Sequence, residues 1–160
     1  MNQDTLLSKA CMGNHSAIRF LEAIGGLTQI WDDLIDRDKP IGDDDINDAF
    51  KFCMVEIPRN AFYRDNFLDL QPVIEQSITQ WIASAKIEKT VHHDLLPGSF
   101  ITRGSFNDLI TRCAFIIGGS DHAEEIAIDV MRWTLEAETY QQYYEEIMGG
   151  SHGLVKHAKA

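Results

Sequence analysis

The amino-acid sequence predicts an all-α protein, a compact antiparallel bundle of about five to seven helices. Apolar residues recur at steps of three and four along most of the chain, which is the period of amphipathic helices. Glycine and proline separate these stretches, and no stretch alternates apolar and polar residues long enough to require a strand. Each apolar stripe must bury itself against another, so short loops should join antiparallel helices.

The chain has 160 residues, of which 44% are hydrophobic. A chain of this length buries most of its apolar surface in one core. We therefore expect one helical domain over residues 1–148. A flexible C-terminal tail is expected over residues 149–160, which have little to bury.

The first long helix is predicted over residues 15–38, where six apolar residues fall on one side. They are Phe20, Ile24, Leu27, Trp31, Leu34 and Ile35. Asn14 or Ser16 can cap the N-terminus of this helix, because both side chains accept hydrogen bonds from the free amides of a first turn.

A second helix is predicted after a break at Pro40 and Gly42. Its first turn carries three aspartates, residues 43–45, whose negative charge favours a helix N-terminus. We expect this helix to end near Pro58. Its inner face is expected to carry Phe50, Cys53 and Met54.

A third helix is predicted with Pro72 in its first turn, a position that tolerates the missing amide proton of proline. Its buried stripe is expected to comprise Val73, Ile74, Ile78, Trp81, Ile82 and Ala85. The pattern weakens over residues 90–104, where a short helix, a loop or a kink all remain open.

The last two helices are predicted on either side of the glycine pair 118–119. Ser105 can cap the first of them, and glycine tolerates the left-handed backbone at its end. Asp121 and Glu124 have the spacing of a capping box at the start of the second. That helix should present Ile126, Val130, Trp133, Ala137, Tyr140, Tyr144 and Ile147 on one face.

The charge balance narrows the range of partners. Against 14 Lys and Arg stand 25 Asp and Glu, for a formal charge of -11, which repels phosphate backbones and anionic lipids. We expect no direct binding of nucleic acid and no membrane partner. Three widely separated cysteines form no Cys-x-x-Cys pair, and no apolar run reaches a membrane-spanning length, so a reducing, cytoplasmic location is expected.

An aspartate-rich segment carries the main functional hint. Residues 25–36 read GGLTQIWDDLID, with Gln29 three residues before the pair Asp32 and Asp33, and with Asp36 one turn later. The segment resembles the aspartate-rich helix of isoprenyl diphosphate synthases. The resemblance implies that the three aspartates hold magnesium ions, which bind the diphosphate of an allylic substrate.

The spacing is chemically reasonable for such a role. Positions 32, 33 and 36 project from neighbouring points of one helix face, so three anions repel one another there. A hard divalent cation such as Mg²⁺ relieves this repulsion and can take phosphate oxygens as further ligands. An ordinary solvated acidic face has the same pattern, and the sequence does not choose between them.

The same resemblance predicts a second acidic element on a facing helix. In terpene cyclases this element is an Asn-Asp pair followed by Ser or Thr and then by Glu. Asn107, Asp108 and Thr111 match its first part, whereas Phe115 stands where the glutamate is expected. Arginines could neutralise the phosphates, and the candidates are Arg37, Arg59, Arg64, Arg103 and Arg112.

The leading interpretation is thus a magnesium-dependent, diphosphate-binding helical protein. One alternative is a noncatalytic acidic interaction protein, such as a small accessory or viral protein, that forms oligomers through an aromatic helix face. Tyr140, Tyr143 and Tyr144 offer such a face, although core packing explains their spacing equally.

Two further enzyme classes share some of these residues. All-α nucleotide pyrophosphohydrolases bind magnesium through two short acidic boxes, and the chain offers Asp-x-x-Asp pairs at 33/36 and 45/48. Metal-dependent phosphohydrolases use a His-Asp pair, for which His93 and Asp94 are candidates, with His92 adjacent. A surface role at a helix end explains these histidines as well.

Overall fold

The computed structural model describes residues 1–37, 39–90 and 94–157, with side chains as far as Gly149. Within these ranges every regular element is helical and there is no strand, so the all-α prediction is confirmed. No helix in the described part of the chain is long and apolar enough to cross a membrane.

The elements follow one another with short connections. They are α1 (Gln3–Ala10), α2 (His15–Asp36), α3 (Asp43–Lys51), a π-helical turn (Phe52–Glu56), α4 (Ile57–Arg59), α5 (Ala61–Asp65), α6 (Phe67–Thr90), α7 (Leu96–Thr102), a 3₁₀ turn (Ser105–Asn107), α8 (Asp108–Ala137) and α9 (Tyr140–His157).

A buried core joins α1, α2, α6 and α8. Its members include Leu6, Leu7, Ala10, Phe20, Leu21, Ile24, Leu70, Leu109, Ile110, Cys113, Ala114, Ile126 and Val130. Full burial of a leucine or phenylalanine side chain contributes about 1.5–3 kcal/mol to the free energy of unfolding. The N-terminal helix α1, which the sequence patterns did not predict, supplies three of these residues and packs on α8.

The start of α2 confirms one of the two predicted caps. Asn14 Oδ1 accepts a hydrogen bond from the Ala17 amide at 3.1 Å. Ser16 has another role, because its hydroxyl donates to Asn60 Oδ1 at 3.2 Å and accepts from the Phe62 amide at 3.0 Å. These bonds fix α5 against the N-terminal turn of α2.

The predicted inner face of α3 is wrong. Phe50 and Met54 are 68% and 72% exposed, and Cys53 is also exposed. The π-helical turn that follows α3 has more residues per turn than an α-helix and so rotates the face that meets the core. Phe52 and Ile57 therefore pack inward instead.

The predicted stripe of α6 is also partly wrong. Pro72 lies inside α6 and not in its first turn. The buried positions are Leu70, Ser77 and Ser84, at steps of seven, whereas Ile78 is 39% exposed. The buried side of α6 is thus partly polar and small, and some of its larger apolar residues face outward.

Two reciprocal hydrogen-bonded serine pairs explain this arrangement. Ser77 Oγ donates to the Ser105 carbonyl at 3.0 Å, and Ser105 Oγ donates to the Ser77 carbonyl at 2.9 Å. Ser99 Oγ donates to the Ser84 carbonyl at 3.3 Å. Ser84 Oγ lies 3.4 Å from the Ser99 carbonyl and closer to Thr102 Oγ1, at 2.6 Å, and to the Gln80 carbonyl of its own helix, at 3.0 Å. All four serines are buried. The small side chains let α6 approach α7 and the 3₁₀ turn closely while each of these four serine hydroxyls has a partner.

The predicted break at the glycine pair is confirmed within α8. Gly119 has φ 81° and ψ −172°, outside the helical region, so α8 kinks there. Gly118 is needed for packing, since a Cβ at this position would lie 2.5 Å from Cδ2 of His122. His122 Nε2 in turn lies 3.0 Å from the Ala10 carbonyl and connects α8 to α1.

The prediction of one continuous last helix from Asp121 to Ile147 is wrong. Glu138 is extended, with φ −151° and ψ 130°, and separates α8 from α9. The Thr139 amide donates to Gln142 Oε1 at 2.8 Å, and the Gln142 amide donates to Thr139 Oγ1 at 3.3 Å. This Thr-x-x-Gln capping box is a sequence pattern that indicates a new helix start. The tail expected from residue 149 stays a prediction.

We predict that Ser77→Ala lowers the free energy of unfolding by about 1 kcal/mol, because the buried hydrogen bond from Ser77 Oγ to the Ser105 carbonyl is lost. Urea unfolding followed by circular dichroism measures the change. Ser8→Ala is the matched control, since Ser8 is exposed on α1, and it should change stability by less than about 0.5 kcal/mol. Equal effects of the two substitutions would contradict a structural role for the pair.

Candidate functional site

The aspartate trio lies on the last turns of α2. Asp33 has 14% of its side chain exposed, and its Oδ1 accepts from Gln29 Nε2 at 3.0 Å and from Lys39 Nζ at 3.5 Å. Asp32 is half-buried and Asp36 is exposed. Among the described residues, no three His, Cys, Asp or Glu side chains are grouped so that they could hold a metal ion.

The residues predicted for a second acidic element separate in space. Asn107 lines the same small cleft as Asp32. Asp108 and Thr111 line a different depression, between α6 and α8, together with Phe115. Burial raises the pKa of Asp108 above its usual range. The structure therefore brings only Asn107 of this set next to the aspartate-rich helix.

Four of the five predicted phosphate-binding arginines do not line the small cleft beside Asp32. Arg37 ends α2 in a left-handed conformation, and Arg64 is exposed on α5. Arg59 lines a depression beside the start of α2. Arg112 forms an ion pair with Asp69 on α6. Arg103 alone among the five candidates lines the cleft.

Arg103 belongs to a half-buried cluster that sequence reasoning missed. Its Nη1 lies 3.5 Å from Glu138 Oε2, its Nε lies 4.0 Å from Glu88 Oε1, and its Cζ lies 5.1 Å from the centre of the Tyr143 ring. Two carboxylates thus offset the charge of this guanidinium. Tyr143 is fully buried and packs on Phe100, which confirms core packing for one of the predicted tyrosines.

The pKa values of this cluster reflect its burial. Burial raises the pKa of Glu88, the nearby Arg103 lowers it, and the negative charges of Asp36 and Asp32 raise it further. Burial also raises the pKa of Tyr143 to about 12. Glu88 Oε1 and the Tyr143 hydroxyl are buried without a hydrogen bond of good geometry in the described chain.

The remaining predicted acids and histidines have other surroundings. Asp45 Oδ2 accepts from the Gly42 amide at 3.0 Å and caps α3, and Asp48 forms an ion pair with Lys51 at 2.8 Å. The Asp-x-x-Asp pair 45/48 therefore stabilises a helix locally. His92 and His93 lie outside the described residues, and Asp94 is exposed.

One side of α2 forms the wall of a polar cavity that we call the amide cleft. Its narrower part, about 180 Å³, is lined by Thr28, Gln29, Asp32, Trp81, Arg103, Gly104, Phe106 and Asn107. A wider part of about 460 Å³ continues toward α1 and shares Thr28, Gln29, Phe106 and Asn107 with the first. Trp133 and Gln3 are among its further lining residues. Carboxamides, aromatic rings, the Asp32 carboxylate and the Arg103 guanidinium thus meet in a single cleft.

The adjoining side of α2 forms an apolar groove with α3 and α6, of about 380 Å³. It is lined by Ile24, Leu27, Thr28, Ile30, Trp31, Leu34, Ala49, Ile74, Ile78 and Phe106. The exposed wall consists of apolar atoms, because the Thr28 hydroxyl donates to the Gly25 carbonyl of its own helix at 3.1 Å. Leu34 remains 46% exposed and Ile78 39% exposed. Sequence analysis had assigned both to buried stripes.

Comparison with known proteins finds no matching family model, no similar curated protein and no similar solved structure. The fold and the surface together define an acidic, all-α protein with an apolar groove and a polar cleft on adjoining sides of one helix. The function proposed below therefore rests on the chemistry of these two surfaces.

We predict that, as pH falls, the free energy of unfolding of the native protein increases relative to that of the Glu88→Gln variant. Burial raises the pKa of Glu88 above its ordinary value of 4.5, so the folded protein binds this proton more tightly than the unfolded chain. The gain should develop as pH falls through the raised pKa and be complete below 4.5. Urea unfolding between about pH 4 and pH 8 measures it.

The control for this experiment is Glu146→Gln, at an exposed position of α9. Its stability difference from the native protein should stay flat over the same pH range. If Glu88→Gln behaves like this control, the burial of the Glu88 carboxylate does not influence stability.

Proposed function

We propose that this chain is a noncatalytic interaction protein that binds an amphipathic helix of a basic partner in the apolar groove. The observation that carries the proposal is the groove itself, whose exposed wall is apolar and whose lining residues Leu34 and Ile78 remain substantially exposed. Burial of apolar surface contributes roughly 25 cal/mol per Å². A partner that covers the groove therefore gains binding free energy in proportion to the apolar area that it buries.

The shape of the groove favours a helical partner. It lies between α2, α3 and α6, and a groove between helices commonly accepts an amphipathic helix through apolar residues at steps of three and four. The small side chain of Ala49 on α3 allows close approach. Ile46 and Phe50 are exposed on the same helix, one position or one turn from Ala49, and extend the apolar surface.

The charge around the groove favours a basic partner. Aspartates 43–45 and Asp48 are exposed on α3, and Asp36 is exposed near the end of α2. With a net charge of -11, the chain attracts cations over long range and accelerates their association. A second copy of the chain would bring like charges together, so a partner rich in Lys and Arg complements this surface better.

We predict that Leu34→Gln weakens binding of a model basic helix about tenfold, because one apolar contact in the groove is lost. The probe is a fluorescent peptide of about 18 Leu and Lys residues with its leucines on one face. Fluorescence anisotropy measures the affinity. Leu68→Gln is the matched control, since Leu68 is 86% exposed on α6 and does not line the groove.

Three outcomes decide this proposal. A loss of affinity for the peptide that is confined to Leu34→Gln supports the groove as the binding site. Equal affinities of the two variants would contradict it. A native protein that sediments as a dimer, and whose dimer dissociates in Leu34→Gln, would mean that a second copy occupies the groove.

A second candidate function is the binding of magnesium and a diphosphate group. One observation favours it: Asp32, Arg103 and Asn107 come from the three predicted sets of site residues and line one cleft. In this candidate Asp32 would contribute oxygen to the cation and Arg103 would neutralise phosphate.

For this candidate we predict that MgCl₂ and sodium pyrophosphate together raise the midpoint of thermal unfolding in proportion to the logarithm of their concentration. Asp32→Asn should abolish the response, while the exposed control Asp121→Asn should retain it. Equal responses of both variants, or no response of the native protein, would rule out magnesium and diphosphate in this cleft.

A further inference from the structure

The wide part of the amide cleft is an uncharged cavity in a strongly acidic protein. Its volume is about 460 Å³, within the range of about 300–1,000 Å³ that is usual for small-molecule sites. None of the described residues that line it is charged, although charged residues make up 24% of the chain. A charged ligand would lose hydration there without gaining a partner of opposite charge. The lining therefore favours an uncharged molecule.

Apolar side chains form the inner wall of this wide part. Four of them belong to the core and are at most 6% exposed, namely Leu7, Leu21, Ile24 and Ile110. Two aromatic side chains, Phe106 and Trp133, line it as well. The Trp133 ring contacts no other aromatic ring in the described part of the chain. An aromatic ring that lines a cavity in this way offers a surface on which a flat ligand stacks.

The polar groups of the wide part include both hydrogen-bond acceptors and donors. Gln29 Nε2 donates to Asp33 at 3.0 Å, and Asn107 Nδ2 donates to Thr134 Oγ1 at 3.3 Å. The two carbonyl oxygens of these carboxamides, and the indole N–H of Trp133, have no hydrogen-bond partner among the described residues. A carboxamide holds a donor and an acceptor side by side, so it pairs with another amide edge. The polar lining therefore suits a ligand that carries an amide.

Gly25 lines the wide part from the middle of α2. Glycine in a helix interior costs stability relative to alanine, because its backbone loses more freedom on folding. A Cβ at Gly26 would lie 3.0 Å from Phe52 Cε2, so packing accounts for that glycine. A Cβ at Gly25 would meet only Gln3 Nε2, at 3.9 Å, which is an ordinary contact. A methyl group at Gly25 would thus displace no neighbour and would instead take space from the cleft.

We propose that the wide part of the amide cleft binds an uncharged planar heterocycle with an amide edge, as in the base of a nucleoside. The ring stacks on the aromatic wall and uses the space beside Gly25, while its N–H and C=O groups pair with the carboxamides of Gln29 and Asn107. Asparagine and glutamine pair with the edges of nucleobases in the same way. This site is independent of the helical partner proposed for the apolar groove.

The probe for this site is inosine, an uncharged nucleoside whose base has an N–H and a C=O on one edge. It is titrated into the native protein while the indole N–H resonance of Trp133, assigned with Trp133→Phe, is followed by NMR. This resonance should shift and saturate below about 5 mM inosine. 1-Methylinosine, in which a methyl group replaces the N–H, should bind at least about tenfold more weakly because the donor is lost.

Gly25→Ala separates a role in ligand binding from a structural role. The added methyl group should raise the midpoint of thermal unfolding and weaken inosine at least about fivefold, because it favours the helix and narrows the cleft. Gly98→Ala is the matched control, since Gly98 lies in α7, does not line the cleft, and a Cβ there meets nothing within 4 Å. It should raise the midpoint as well and leave inosine binding unchanged.

The outcomes decide this proposal without reference to the groove. No saturable shift of the Trp133 resonance, or equal affinities for inosine and 1-methylinosine, would overturn it even where the groove binds the basic peptide. Native-like inosine binding by Gly25→Ala would place the ligand elsewhere, and a lowered midpoint would mean that packing requires this glycine. Leu34→Gln should leave inosine binding unchanged, so loss of the peptide and loss of the nucleoside are distinguishable.

Discussion

Hydrogen bonds from Ser77 and Ser84 hold α6 against the segment that runs from Ser99 to Ser105. This segment leads directly into the 3₁₀ turn that carries Phe106 and Asn107, and both residues line the amide cleft. Each of these contacts adds a buried side-chain hydrogen bond to a main-chain carbonyl, and a bond of this kind contributes about 0.5–1.5 kcal/mol of net stability. The distance between the cleft wall and α2 therefore depends on four small side chains.

The two flanks of α2 have different chemistry because the helix packs its core face against α1 and α8 and leaves both edges open. One edge meets α3 and α6 in an apolar groove, and the other meets Asn107 and Arg103 in a polar cleft. The acids of the chain are concentrated nearby, on the end of α2 and the start of α3. An apolar surface and a concentration of negative charge thus lie side by side on the protein.

Features set by neighbouring residues were predictable from the sequence, and those set by distant ones were not. The Asn14 cap and the break at Gly119 follow from local chemistry and are found as expected. The inner face of α3 was predicted wrongly because a π-helical turn changes the helical period without a clear sequence signal. The aspartate-rich helix could be located, but its neighbours Glu88 and Arg103 depend on how α6 and α7 pack, which spacing does not reveal.

The π-helical turn from Phe52 to Glu56 makes the exposed surface of α3 sensitive to the length of the chain. An α-helix turns about 100° per residue, so removal of one residue at this point would rotate α3 by about that angle relative to the helix that follows. Such a rotation would change which side chains of α3 meet solvent, among them Phe50, which is now 68% exposed.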